Sequence, residues 1–68
     1  MNSEMALNSP KILTIRFEPS EPESLVVFEF GAQTMEKKIP RGHGVLRASA
    51  IIHGDSLSDV ELITQQTA

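Results

Sequence analysis

The chain contains no cysteine, which excludes a disulfide, a thiolate zinc site, an iron–sulfur cluster and a nucleophilic thiol, all of which need that sulfur. Tryptophan and tyrosine are also absent, leaving three phenylalanines as the only aromatic side chains. Binders of single-stranded nucleic acid stack bases on exposed rings, so the platforms they use are scarce here. Positive charge is not in excess: six lysines and arginines stand against nine carboxylates, for a net charge of −3. A general attraction to polyanions or anionic membranes is therefore not implied. The longest apolar runs, Leu25-Val26-Val27-Phe28 and Ala50-Ile51-Ile52, fall far short of the ~20 residues that cross a bilayer as a helix. Residues 1–10 have neither the basic start nor the apolar stretch of a secretory signal, and a cytoplasmic location is expected.

The 68 residues, 40% of them apolar, suffice for one small domain and no second. Chains of this size hide only about 60% of the surface their unfolded form exposes, so a lone core is marginal without a cross-link, a metal or a partner. The expected organisation is a mobile tail over 1–10, one β domain over 11–64 and a fraying end at 65–68.

Within the domain the strand period of two recurs. Leu13, Ile15 and Phe17 alternate with Thr14 and Arg16, which predicts a strand with one dry face. Glu18-Pro19-Ser20-Glu21-Pro22-Glu23-Ser24 then makes a stiff acidic loop that neither a helix nor a central strand accommodates. Leu25–Phe30 carries β-branched and aromatic residues on both faces and is expected to be the most buried strand. Gly31-Ala32-Gln33-Thr34 reads as a hairpin loop leading to a weaker third strand, Met35–Ile39. Lys37, Lys38 and the following Pro40 mark that strand as an edge.

After a second turn at Arg41-Gly42-His43-Gly44, Val45–His53 predicts a long strand with Leu46, Ala48, Ala50 and Ile52 on one face. Ala48 and Ala50 also favour a helix, but the glycines at 42, 44 and 54 bracket a length that suits a strand. The last element is divided. Ser58 and Glu61 have capping-box spacing, with Leu57 and Leu62 as a hydrophobic staple, which permits a short helix from Asp59. Val60, Ile63 and Thr64 are β-branched and favour the extended form. The fold class expected is all-β: about five short antiparallel strands in meander order, as a small barrel or as an open sheet completed by dimerisation. Leu25–Phe30 and Val45–His53 are expected to supply most of the stability.

Motifs for chemistry are thin. His53-Gly54-Asp55-Ser56 gathers an imidazole, a carboxylate and a hydroxyl, but hydrolytic triads are assembled from distant positions, and Gly54-Asp55 reads better as a turn. His43 and His53 flank a strand of nine residues and lie roughly 30 Å apart along one extended chain, too far to share an ion within a subunit. Arg41-Gly42-His43-Gly44 lacks the spacing of a phosphate-binding loop. No catalytic residue, cofactor, metal or small-molecule substrate is assigned.

What remains is contact with a macromolecule. The sheet has apolar residues on both faces and too little chain to cover both, which points to a homodimer or a protein partner, and so to a non-enzymatic adaptor, regulator or assembly component. The candidate contact residues are Lys37, Lys38, Arg41, His43 and Arg47, a span with no carboxylate after Glu36. A nucleic-acid-binding regulator using Lys37–Arg47 is the alternative function.

Overall fold

A computed structural model of the chain describes residues 10–67. The expected tail over 1–10 therefore lies outside the described residues, apart from Pro10. Five antiparallel strands follow in order: β1 (Leu13–Glu18), β2 (Leu25–Phe30), β3 (Gln33–Lys38), β4 (His43–His53) and β5 (Ser56–Gln66). No helix is present among the described residues, so none there is long and apolar enough to cross a membrane.

The strands divide between two sheets, one ordered β1-β2-β3 and the other a β4-β5 hairpin. Meander order holds within each sheet. Residues 39–42 carry the chain from one sheet to the other, and no ladder joins β3 to β4 in place of the continuous pairing a closed barrel requires. The ladder of the hairpin also runs beyond residue 64, with Gln65 opposite Gly44 and Gln66 opposite His43, and the Thr67 amide donating to Gly42 O at 2.8 Å.

Two-residue loops close both tight hairpins. Phe30 pairs with Gln33 across Gly31-Ala32, and His53 pairs with Ser56 across Gly54-Asp55. Each loop has its glycine first, at φ +62° and +65°, with no positive φ at the second residue. This is the pattern of a type II′ turn, whose twist matches that of the flanking strands. Nothing lies within 4 Å of a side-chain carbon placed on Gly54, so Gly54→Ala isolates the backbone term. A loss of about 1–2 kcal/mol is expected, read as a lower urea midpoint at unchanged slope.

The register settles which residues meet. Leu13, Ile15 and Phe17 of β1 oppose Phe30, Phe28 and Val26 of β2, and these in turn oppose Gln33, Met35 and Lys37 of β3. Opposed residues share a face, so these nine form the inner face of the first sheet. Ile39 continues that face, its amide bonded to Ser24 O at 2.8 Å. The core is Val26, Phe28, Phe30, Ile39, Leu57 and Val60, with Leu13, Met35, Ala48, Ala50 and Leu62 packed around it. β2 is indeed the most buried strand, Phe28 being fully inaccessible. Val27 is also buried, but on the outer face, opposite Arg16 and Glu36.

Of the two forms open to residues 58–66, the structure has the strand that Val60, Ile63 and Thr64 favour, and a β-bulge interrupts its alternation near the start. Ile51 opposes Asp59 while Ile52 opposes Leu57, leaving Ser58 unpaired. An extra residue shifts the alternation by one, so Leu57 and Val60 both reach the core although three apart. Asp59 Oδ1 accepts the Val60 amide at 2.8 Å beside the bulge.

A second irregularity leaves Leu46 unpaired between Val45↔Thr64 and Arg47↔Ile63. Val45, not Leu46, therefore falls in phase with Ala48 and Ala50, and Leu46 stays exposed. As a result β4 contributes no fully buried residue. Its share of the core is taken by Ile39 and by Leu57 and Val60 of β5.

Candidate functional site

The two sheets approach each other through β5, which lies against β3 and, less closely, β2. One amide side chain fastens this seam. Gln33 Nε2 donates to Leu57 O at 3.0 Å, and the Leu57 amide donates to Gln33 Oε1 at 2.7 Å. Gln33 thus gives Leu57 the two hydrogen bonds that a neighbouring strand would have supplied, at a place where no ladder runs. Near the hairpin turn Lys11 adds a second tie. Its Nζ donates to Asp55 O at 2.8 Å and stands 5.8 Å from the centre of the Phe30 ring. The Asp55 carboxylate lies 3.7 Å from the same ammonium but is largely in water, so its charge adds little.

Opposite the seam the layers stand apart. Among the described residues β1 is an outer strand of the first sheet and β4 is paired on one edge only, and their inward-phased side chains are only partly covered. Phe17 is 60% exposed, Ile15 40%, Val45 42% and Ile52 41%. Three phenylalanines at core-like spacing therefore have two fates, Phe28 and Phe30 inside and Phe17 on the open side. The reason is one of count: the hairpin has two strands to place over a three-stranded sheet, and β5 takes the position over β3 and β2.

The open side deepens at one end into a groove of about 410 Å³. Phe17, Ile39 and Val45 supply its apolar walls, and Pro22 of the acidic loop and Pro40 of the inter-sheet connection stiffen its rim. Glu23, Arg41 and His43 also line it. The His43 ring shares a hydrogen bond with Thr64, Nδ1 to Oγ1 at 3.1 Å, which orients the imidazole across the hairpin.

Of the five candidate contact residues, only Arg41 and His43 are brought together, in this groove. Lys37 and Lys38 are neighbours on β3 and fall on opposite faces, opposing Val26 and Leu25 respectively. Arg47 lies in the other sheet, opposite Ile63. His43 and His53 stand at the two ends of β4, and His53-Gly54-Asp55-Ser56 is the exposed hairpin end. Among the described residues no three His, Cys, Asp or Glu side chains gather as a metal site requires.

The free edge of β1 has one charged pair-forming cluster, on its outer face. Arg16 Nη1 lies 2.8 Å from Glu18 Oε1, and Nη2 lies 3.6 Å from Glu29 Oε2. The hydrogen bond that Arg16 donates to Glu18, with a smaller contribution from Glu29, raises the Arg16 pKa above its ordinary value despite partial desolvation. Sequence reading missed Ile15 and Phe17 as surface residues, because alternation reports which face is apolar and not whether a second layer reaches it. Compared with models of protein families, with curated protein sequences and with solved structures, the chain finds no match.

Proposed function

We propose that the protein is a small non-enzymatic interaction module, an adaptor, regulator or assembly component, working through the open side between β1 and β4. The observation that carries this reading is the group Ile15, Phe17, Val45 and Ile52, inward-phased side chains left two-fifths or more exposed. Fully burying one large aliphatic or aromatic side chain is worth about 1.5–3 kcal/mol, so an occupant of the groove that covers the half-covered Phe17 and Val45 gains about 1.5–3 kcal/mol before the cost of association. A free edge strand beside the patch adds main-chain donors and acceptors, the combination used in strand addition. The stiff groove rim at Pro22 and Pro40 lowers the ordering cost of that contact.

Phe17→Lys tests the reading, because Phe17 is the most exposed of the four and its loss spares the core. In a capture experiment with the immobilised chain, the variant is expected to lose at least ten-fold of the specifically retained partner, the chain itself included, with an unchanged circular dichroism spectrum. A retained set identical for wild type and variant would remove this surface from consideration. Retention of nucleic acid alone, abolished by neutralising Lys37, Lys38 and Arg41 together, would move the function to the basic segment.

A further inference from the structure

Among the described residues no strand pairs with the outer edge of β1, and that edge has a self-complementary register. Phe30 and Gln33 close a two-residue loop and therefore exchange both of their main-chain hydrogen bonds. Alternation along β2 then turns the amides and carbonyls of Val26, Phe28 and Phe30 toward β3, and those of Leu25, Val27 and Glu29 toward β1. Their β1 partners Thr14, Arg16 and Glu18 are thereby used internally. Leu13, Ile15 and Phe17 turn their main-chain groups outward, as does position 19, where a proline has no N–H to offer.

Proteins blunt such edges with lysine, proline or a covering segment. β3 has all of these, in Lys37, Lys38, the following Pro40 and the Gln33 tie to β5. β1 shares only the following proline, Pro19, which lies outside the strand; within it the one cation, Arg16, is already held by Glu18 and Glu29 on the outer face.

We propose that β1 pairs with β1 of a second copy of this chain, antiparallel about a two-fold axis at Ile15, to make a continuous six-stranded sheet. The inference rests on the interaction reading above and names its partner. Axes at Leu13 and Glu18 leave almost no overlap within β1; of the four remaining registers that keep the apolar faces of both copies on one side, three carry a defect. An axis at Arg16 sets Arg16 against Arg16 and Leu13 against Pro19. An axis at Phe17 sets Ile15 against Pro19, which cannot donate. An axis at Thr14 sets Phe17 against Lys11 and Arg16 against Ile12. The axis at Ile15 sets Ile15 against Ile15, Leu13 against Phe17 in both directions, and Thr14 against Arg16.

That register engages every outward main-chain group of β1 in three hydrogen-bonded pairs, six bonds in all by the geometry of an antiparallel ladder. It also places Phe17 of each copy beside Leu13 of the other, on the face the β4-β5 hairpin leaves open. The two diagonally placed Arg16 side chains meet with their charges already matched by Glu18 and Glu29.

A chain without cysteine permits a clean test by single-cysteine cross-linking. At the axis, Ile15→Cys brings two copies to a Cα separation of about 5.5 Å, inside the disulfide range of about 4.4–6.8 Å. Phe17→Cys leaves the two cysteines four residues out of step, about 14 Å apart. Mild oxidation is expected to convert Ile15→Cys to a covalent dimer at least ten-fold faster than Phe17→Cys. Sedimentation should show the wild type as a dimer and Ile15→Lys as a monomer with an unchanged circular dichroism spectrum. Equal cross-linking of the two cysteine variants, or a wild type monomeric at every concentration tested, would overturn the proposal. A monomer that still loses a foreign partner through Phe17→Lys would overturn the dimer while leaving the interaction reading in place.

Discussion

Phe28→Ala is expected to leave the chain largely unfolded at 25 °C. Phe28 is fully inaccessible at the centre of the central strand and belongs to the six-residue core, and truncating a buried phenylalanine costs about 3–5 kcal/mol through lost transfer energy and the cavity left behind. A chain of 68 residues has a total stability of about 3–10 kcal/mol to lose. The remaining core side chains cannot collapse into the space, because two ladders pin their backbones on either side of it. Val27 is the control. It is as inaccessible as Phe28 but lies on the outer face, where Val27→Ala removes two methyl groups worth about 1.5 kcal/mol. Urea titration followed by far-ultraviolet circular dichroism should show Val27→Ala folded with a lowered midpoint and Phe28→Ala without a folded baseline. A Phe28→Ala protein as stable as Val27→Ala would mean that the sheets do not share the core described.

Gln33→Ala should be the most damaging substitution of a polar residue. It removes both hydrogen bonds of the seam and leaves the amide and carbonyl of Leu57, a residue 3% exposed, without partners. An unsatisfied buried polar group costs about 1–3 kcal/mol, so for the two groups a combined loss of about 2–6 kcal/mol is expected.

Gln33→Glu separates the two bonds. At neutral pH its carboxylate keeps the acceptor for the Leu57 amide but faces the Leu57 carbonyl with a second oxygen in place of a donor. Protonation restores the donor, so the folded state should raise the pKa of that carboxyl above its unfolded value of about 4.3. The stability of Gln33→Glu is then greatest below the unfolded pKa and is lost as pH rises through the folded one. Stability differences between wild type and Gln33→Glu that stay constant from pH 3 to 7 would show that the amide does not fasten the seam.

Much of the strand layout is legible along the chain. Val26, Phe28 and Phe30 announce a buried strand, the prolines at 19 and 22 end β1, and Gly31 and Gly54 mark hairpin turns because only glycine adopts their backbone at no steric cost. What alternation alone does not reveal is the bulge. The one at Ser58 puts Leu57 and Val60 on one face although they are three apart, and the one at Leu46 exchanges the roles of Leu46 and Val45. A bulge is a property of two paired strands, so a pattern read along one strand does not reveal it. The candidate site was harder still. Charge proximity between Lys37 and Arg47 is a statement about sequence, and a pleated strand sends neighbours such as Lys37 and Lys38 to opposite faces. Gln33, a polar residue beside a turn, gives no sign of its partner 24 positions away.

The seam also gives the molecule a joint. Each sheet closes its own ladder, and the hydrogen bonds joining β3 to β5 pass through a single side chain whose torsions can turn. Rocking the hairpin about the line from Gln33 to Leu57 changes the width of the gap between β1 and β4 while every ladder hydrogen bond stays intact. Motion along that coordinate is resisted by side-chain packing and by the Lys11 tie to Asp55 at the turn of the hairpin, and it acts at the mouth of the groove.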